Sequence, residues 1–248
     1  MEPWIVALLA AGMLVAAFGY AAVGHGGASA YIAAMALAGI APAEMRPISL
    51  LLNIVVSSLG SWKFYRAGFF RWRLFWPFAV VSIPMAYLGG AITLPGNAYK
   101  ILVGVVLLYA AWQLWRSGTS GAEMREVREP PLGWAMVIGA SMGLLAGLTG
   151  VGGGIFLSPL LLMLGWAGTK QTSAVAAPFI LVNSLAGLAA VFVAKSALLP
   201  TYVWILVPAV LVGGWLGAEY GSRRFANPVV RRVLAVVLAL AGGKMVAV

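Results

Sequence analysis

One short stretch concentrates most of the residues whose types and spacing could do chemistry. Gly147-Leu148-Thr149-Gly150-Val151-Gly152-Gly153-Gly154-Ile155-Phe156-Leu157-Ser158-Pro159 packs five glycines into eight residues. It lies within Pro130–Thr169, forty residues without an Asp, Glu, Lys or Arg. A glycine cluster there is not a solvated loop. Its physical use is to break a helix and let backbone approach something closely. A weaker copy, Val23-Gly24-His25-Gly26-Gly27-Ala28-Ser29, sits in the first half, with Gly24, Gly26 and Gly27 at a constant offset of 126 from Gly150, Gly152 and Gly153. A helix that restarts at such a break points free N–H groups and the positive end of its dipole back at the break, which suits an anion. Thr149, Ser158 and Ser29 add hydroxyl donors. The competing reading is that these glycines serve only close helix packing.

Three more polar side chains stand out. His25 is the only histidine and the only ionisable side chain deep in an apolar run. Such residues are functional candidates, here for a coupled proton or an anion contact. The alternative is a neutral ring bonded to a carbonyl. Asn53 and Asn183 are amides in mid-apolar helices, and each needs partners because an unpaired amide in hydrocarbon is costly. They serve either as glue between helices or as substrate contacts. Gln171, Thr172 and Ser173 read as an interfacial cap. Glu219 lies at helical spacing from Arg223, which suggests a local pair.

The elements that must position these residues are all helical. Of 248 residues, 62% are apolar and 9% charged, against roughly 25% charged in a soluble domain. The apolar runs are continuous, not alternating, so the chain reads as an all-α polytopic membrane protein and not a barrel. Ten segments are expected, at 4–23, 28–41, 46–65, 74–94 and 98–116, then 132–149, 154–166, 171–194, 201–221 and 229–247. The second and seventh fall short of the roughly 20 residues of a full span and each follows a glycine cluster, so 8–10 segments are transmembrane or re-entrant. The expected organisation is a first repeat at 1–116, a cytoplasmic linker at 117–131 and a second repeat at 132–248. The start Met1-Glu2-Pro3-Trp4 lacks the basic region of a signal peptide, so its apolar run is expected to be a mature segment.

The net charge of +10 speaks for topology rather than nucleic acid, because cytoplasmic loops collect Lys and Arg. With the loop Lys63–Arg73 inside, twelve basic residues fall on the cytoplasmic side and four (Arg46, Lys100, Lys195, Lys244) on the other. Both termini are then outside. Five segments per half give the halves opposite orientations. Inverted repeats are a signature of secondary transporters, with the substrate site near the midplane. Cysteine is absent, which excludes disulfides and thiolate metal sites. No metal site or cofactor is expected. No Walker-type loop is present. An intramembrane enzyme would need a catalytic set that one histidine does not supply. A cation carrier would call for buried carboxylates. A membrane scaffold would not require two matched glycine breaks.

The signature Gly150, Gly152-Gly153-Gly154 and Pro159, followed by the Ala-rich Gln171–Gly187 with Pro178 and Asn183, resembles the sulfite exporter TauE/SafE family. The likeness in length, duplicated halves and glycine-rich repeat starts covers nearly the whole chain. The first copy departs from the pattern, with Gly24-His25-Gly26-Gly27-Ala28 lacking the third glycine. The resemblance implies a permease or exporter of sulfite, of sulfonates such as sulfoacetate or taurine-related compounds, or of similar small organic acids. It works in the cell (inner) membrane. The expected partners are that anion, a coupled proton or ion, and the lipid bilayer. Nucleic acid is not among them, and a homo-oligomer is left open. The candidate substrate-binding residues are Gly24, His25, Gly26, Gly27, Ser29, Asn53, Thr149, Gly150, Gly152, Gly153, Gly154, Ser158 and Asn183.

Overall fold

The structure, a computed structural model, describes residues 2–117, 129–195, 199–223 and 228–247. These form ten α-helices: α1 Pro3–Ala21, α2 Ala28–Leu37, α3 Pro42–Arg66, α4 Trp72–Ala91, α5 Gly96–Ser117, α6 Leu132–Thr149, α7 Gly154–Met163, α8 Thr169–Lys195, α9 Val203–Arg223 and α10 Pro228–Ala247. No strand occurs among the described residues. Prolines at the first turn start α1 and α3, where the missing N–H removes no helical bond. Among the described residues, seven helices are long and apolar enough to cross a membrane: α1, α3, α4, α5, α6, α8 and α9. The short second and seventh segments are helices of 10 residues each. That is about 15 Å, half of a hydrocarbon core. Most of the expected linker, 118–128, lies outside the described residues.

The helices of the two halves interleave. α4 packs on α6 and α8, while its counterpart α9 packs on α1 and α3. Small residues make this possible. A Cβ on Gly139, Gly143 or Gly147 of α6 would fall on the backbone of Phe78, Ser82 or Ala86 in α4. A Cβ on Gly213, Gly217 or Gly221 of α9 would fall on the backbone of Leu14, Phe18 or Ala22 in α1. Residue numbers rise together in both sets, so each pair runs parallel, with backbones in the close contact that drives helix association in lipid. Between α3 and α8 the order reverses. Gly60 faces Ala177, Asn53 bonds to Ser184, and Gly187 faces Leu50. The long third helix of each half therefore crosses its counterpart antiparallel, in agreement with an inverted repeat. Three buried clusters result. One joins α1, α2, α3, α5, α9 and α10 with Val151 and Ile155, another joins α4, α6, α7 and α8, and a small one joins Leu50 of α3 to Leu188 and Val191 of α8.

Contacts at helix ends fix their relative sides. Tyr202, before α9, donates to Glu44 at the start of α3 (2.9 Å), and burial with this carboxylate pushes its hydroxyl pKa up. Lys244 near the end of α10 donates to Ala36 and Leu37 at the end of α2 (3.0 and 3.2 Å). At the opposite ends, Lys63 of α3 pairs with Glu219 of α9, between the rings of Trp62 and Trp215. Lys63 thus gives Glu219 a partner from another helix, and the expected pair with Arg223 involves a side chain outside the described residues. The order of ends matches the order that the basic residues gave. Trp4, Trp72 and Trp134, near helix starts, are exposed, as expected of interfacial anchors.

One consequence concerns packing alone. Gly143→Ala places a methyl on the Ser82 carbonyl, and overpacking of this kind costs about 1–3 kcal/mol. Thermal denaturation in detergent is expected to show a clear loss for Gly143→Ala and none for Gly133→Ala, whose Cβ would meet nothing within 4 Å.

Candidate functional site

Both glycine clusters end one helix and begin another, and both are buried. α6 stops at Gly150 (φ +83°) and α7 starts after Gly153 (φ +80°). In the first half, the α1 turn passes through Gly24 (φ +75°) and α2 starts after Gly27 (φ +93°). Left-handed backbone at Gly24 and Gly150, and again at Gly27 and Gly153, repeats the offset of 126. A residue with a Cβ is strained at such angles. The middle pair differs, because Gly152 is left-handed (φ +77°) and Gly26 is not.

Asn53 joins the two breaks. It is fully buried at the middle of α3. Its Oδ1 accepts the Ala28 N–H at the start of α2 (3.2 Å). Its Nδ2 donates to the Val151 carbonyl in the second break (3.2 Å) and to Ser184 of α8 (3.4 Å). Gly26 and Gly152 lie against the two ends of this amide, and both also touch Ile180. A side chain on either glycine would collide with Asn53, so close backbone approach is the reason glycine stands there.

Beside Asn53 is a small cavity, about the size of a single water molecule and partly open to the exterior. Tyr20, His25, Gly26, Gly27, Ala28 and Ser29 line it from the first half, and Val151, Ile155 and Ile180 from the second. No carboxylate lines it. Ser29 donates to the Tyr20 hydroxyl (2.8 Å). His25 lies edge-on to Tyr20 with ring centroids 6.3 Å apart, and its Nδ1 is 3.1 Å from the Val23 carbonyl. The first amides of α2 have no carbonyl of their own helix to donate to. Asn53 takes that of Ala28, and those of Ser29 and Ala30 follow at the positive end of the helix dipole.

The second break is enclosed differently. Thr149 donates to Leu145 (2.6 Å) and accepts the Val151 N–H (3.3 Å). Ser49 of α3 donates to the Gly150 carbonyl (3.0 Å), and Tyr99 of α5 to the Thr149 carbonyl (3.1 Å). Ile180 covers Gly154. Ser158 is buried, and its hydroxyl makes no hydrogen bond among the described residues. Asn183 donates to Phe179 one turn back (2.9 Å), and its Oδ1 makes none. Gly24 packs on Ser173 of α8, whose hydroxyl donates to the Val23 carbonyl (2.9 Å).

Of the residues picked from sequence, the fold thus gathers His25, Gly26, Gly27, Ser29, Asn53 and Gly152 around one point. Thr149 and Gly150 are held by the opposite end of the break, and Ser158 and Asn183 do not line the cavity. Sequence reading missed Tyr20, Ile180, Ser184 and Arg46. Only Tyr20, five residues before His25 in the same apolar run, carried a usable signal.

Buried helix breaks with backbone donors thus lie within a polytopic helical bundle, and the comparisons with known proteins make that bundle a membrane transporter. The chain matches the family model described as Sulfite exporter TauE/SafE over residues 8–245, and it belongs to that family. It is similar to the "Probable membrane transporter protein y4hK" of Sinorhizobium fredii (strain NBRC 101917 / NGR234), 40% identical over 239 residues, which are 96% of each chain. No solved structure matches it.

Proposed function

We propose that this transporter carries small sulfur-containing anions, sulfite or organosulfonates, by alternating access of two inverted repeats, 1–116 and 132–248. The observation that carries the reading is the cavity at the start of α2. It offers amide and hydroxyl donors and a histidine, with no carboxylate. A doubly broken helix bundle with a helix N-terminus facing the site suits an anion rather than a cation. The family membership supports sulfur as the central atom. His25 in the lining supports a proton as the coupled ion. Gly24 acts in this scheme through the first break, and Thr149, Gly150, Gly153, Gly154, Ser158 and Asn183 through the second break and through α7 and α8, which move against Asn53.

Thermal-shift titration of the purified protein tests the substrate class. A ligand that binds the native state stabilises it by about 2.7 kcal/mol at a hundred times its Kd. Sulfite, sulfate, thiosulfate, sulfoacetate, taurine and matched carboxylates form the panel, with alkali and divalent cations as controls. Stabilisation by sulfite or a sulfonate is expected. Stabilisation by carboxylates alone moves the proposal to another organic anion, and stabilisation by cations alone ends it.

The proposed topology puts both termini outside, the linker 117–131 in the cytoplasm and the whole protein in the inner membrane. Because the chain has no cysteine, each introduced cysteine reports alone. An impermeant thiol reagent on whole cells is expected to label a cysteine at Glu2 and to spare one at Ser120; the reverse pattern contradicts the orientation.

A further inference from the structure

Arg46 lies in the first turns of α3 and is 4% exposed, although counting charges sets it at the non-cytoplasmic start of the third segment. Its Nη1 and Nη2 donate to the carbonyls of Ile92 and Gly89 at the end of α4. Its Nε makes no hydrogen bond. No carboxylate pairs with it among the described residues. A buried cation without a counter-charge is costly, and helix C-terminal carbonyls supply only partial negative charge.

Its surroundings belong to the second break. A Cβ on Gly150 would lie 3.3 Å from Cα and Cγ of Arg46. Ser49 bridges the carbonyls of Arg46 and Gly150 (2.9 and 3.0 Å). Arg46, Ser49, Asn53 and Ser57 recur at spacings of three, four and four along α3, so they share one helix face. All four are buried. This polar stripe runs from the Arg46 end of α3 to the amide that joins the two breaks. An ionisable side chain inside a membrane bundle is a functional candidate, and Arg46 is the charged member of this stripe.

We infer that Arg46 is a second anion-contacting residue of the transport path, at the α3 end remote from Lys63, and that the oxyanion of the substrate is its missing counter-charge. The inference rests on the anion reading above and adds a station to it. The passing anion takes the Nε–H and draws compensation from the guanidinium, then moves along the α3 face to the Asn53 cavity.

The test measures sulfite affinity of the purified full chain in detergent, at fixed ionic strength, for wild type, Arg46→Gln and Arg46→Lys. Glutamine keeps a donor for the α4 carbonyls and removes the charge. Lysine keeps the charge and loses the Nε donor. A charge-assisted hydrogen bond contributes roughly 1.5–3 kcal/mol, so Arg46→Gln is expected to weaken binding by about tenfold or more. Arg46→Lys is expected to weaken it by at least about threefold, so the test survives if Arg46→Gln does not fold. A purely structural clamp predicts lower melting temperatures with unchanged affinity. Wild-type affinity in either folded variant overturns the inference and leaves the anion reading intact. A wild type that binds no anion of the panel overturns both.

Discussion

Asn53→Leu is expected to reduce anion flux in proteoliposomes to the level of empty vesicles. Leucine keeps the branched shape of asparagine but is larger and makes no hydrogen bond, so the change removes the polar contacts and adds some crowding at a fully buried site. It strips partners from the Ala28 N–H, the Val151 carbonyl and the Ser184 hydroxyl at once. Leaving a buried polar group without a partner costs about 1–3 kcal/mol, while hydrogen bonds inside membrane proteins average about 0.6 kcal/mol. Three lost bonds place the destabilisation at about 2–5 kcal/mol between those limits. The functional loss exceeds the stability loss, because the same amide holds both breaks in register around the cavity. Asn183→Leu provides the contrast. It removes one bond to a carbonyl a turn away on its own helix, and its stability cost is expected to stay below about 1 kcal/mol. Flux measured beside thermal denaturation checks both. Equal effects of the two substitutions would contradict the unequal roles given to the two amides.

Gly26→Leu is the second large effect. The position lines the cavity, and its Cβ would displace the Asn53 amide. The added side chain fills space that the proposed anion needs, and it apolarises the start of α2. Anion-dependent stabilisation and flux are both expected to disappear, while the protein still inserts. The reason is locality: the long helices α3, α6 and α8 pack through residues elsewhere along their length. Fluorescence-detected size exclusion checks insertion and folding, and the anion panel checks the site. Retained sulfite stabilisation in Gly26→Leu would move the site away from the first break.

Much of the scaffold was legible because lipid imposes simple rules. Continuous apolar runs gave ten segments, and the two that were too short for a span are the two half-length helices α2 and α7. The offset of 126 between glycine clusters foretold matching left-handed residues, since few other residues hold those angles. The rest depends on tertiary partners that spacing does not contain. Asn53 and Asn183 look equivalent in their helices, yet only Asn53 meets groups from both breaks. Glu219 has a helical neighbour in Arg223, and spacing along one helix does not show that Lys63 of α3 reaches it. Arg46 reads as a charge at the end of a segment because hydropathy cannot see the carbonyls of α4 folding over it. The interleaving of α4 with α6 and of α9 with α1 was hidden as well. Glycines at fourfold spacing announce a close contact but not which helix makes it.

The central claim is that this chain moves a small sulfur anion through the cavity between its glycine breaks. Uptake of sulfur-35-labelled sulfite into proteoliposomes, with and without an imposed proton gradient, tests it most directly. The account predicts flux above empty vesicles for the wild type, competition by sulfoacetate, insensitivity to alkali cations, and loss in Gly26→Leu. No flux of any sulfur anion in vesicles that carry a matched carboxylate or a cation would contradict it.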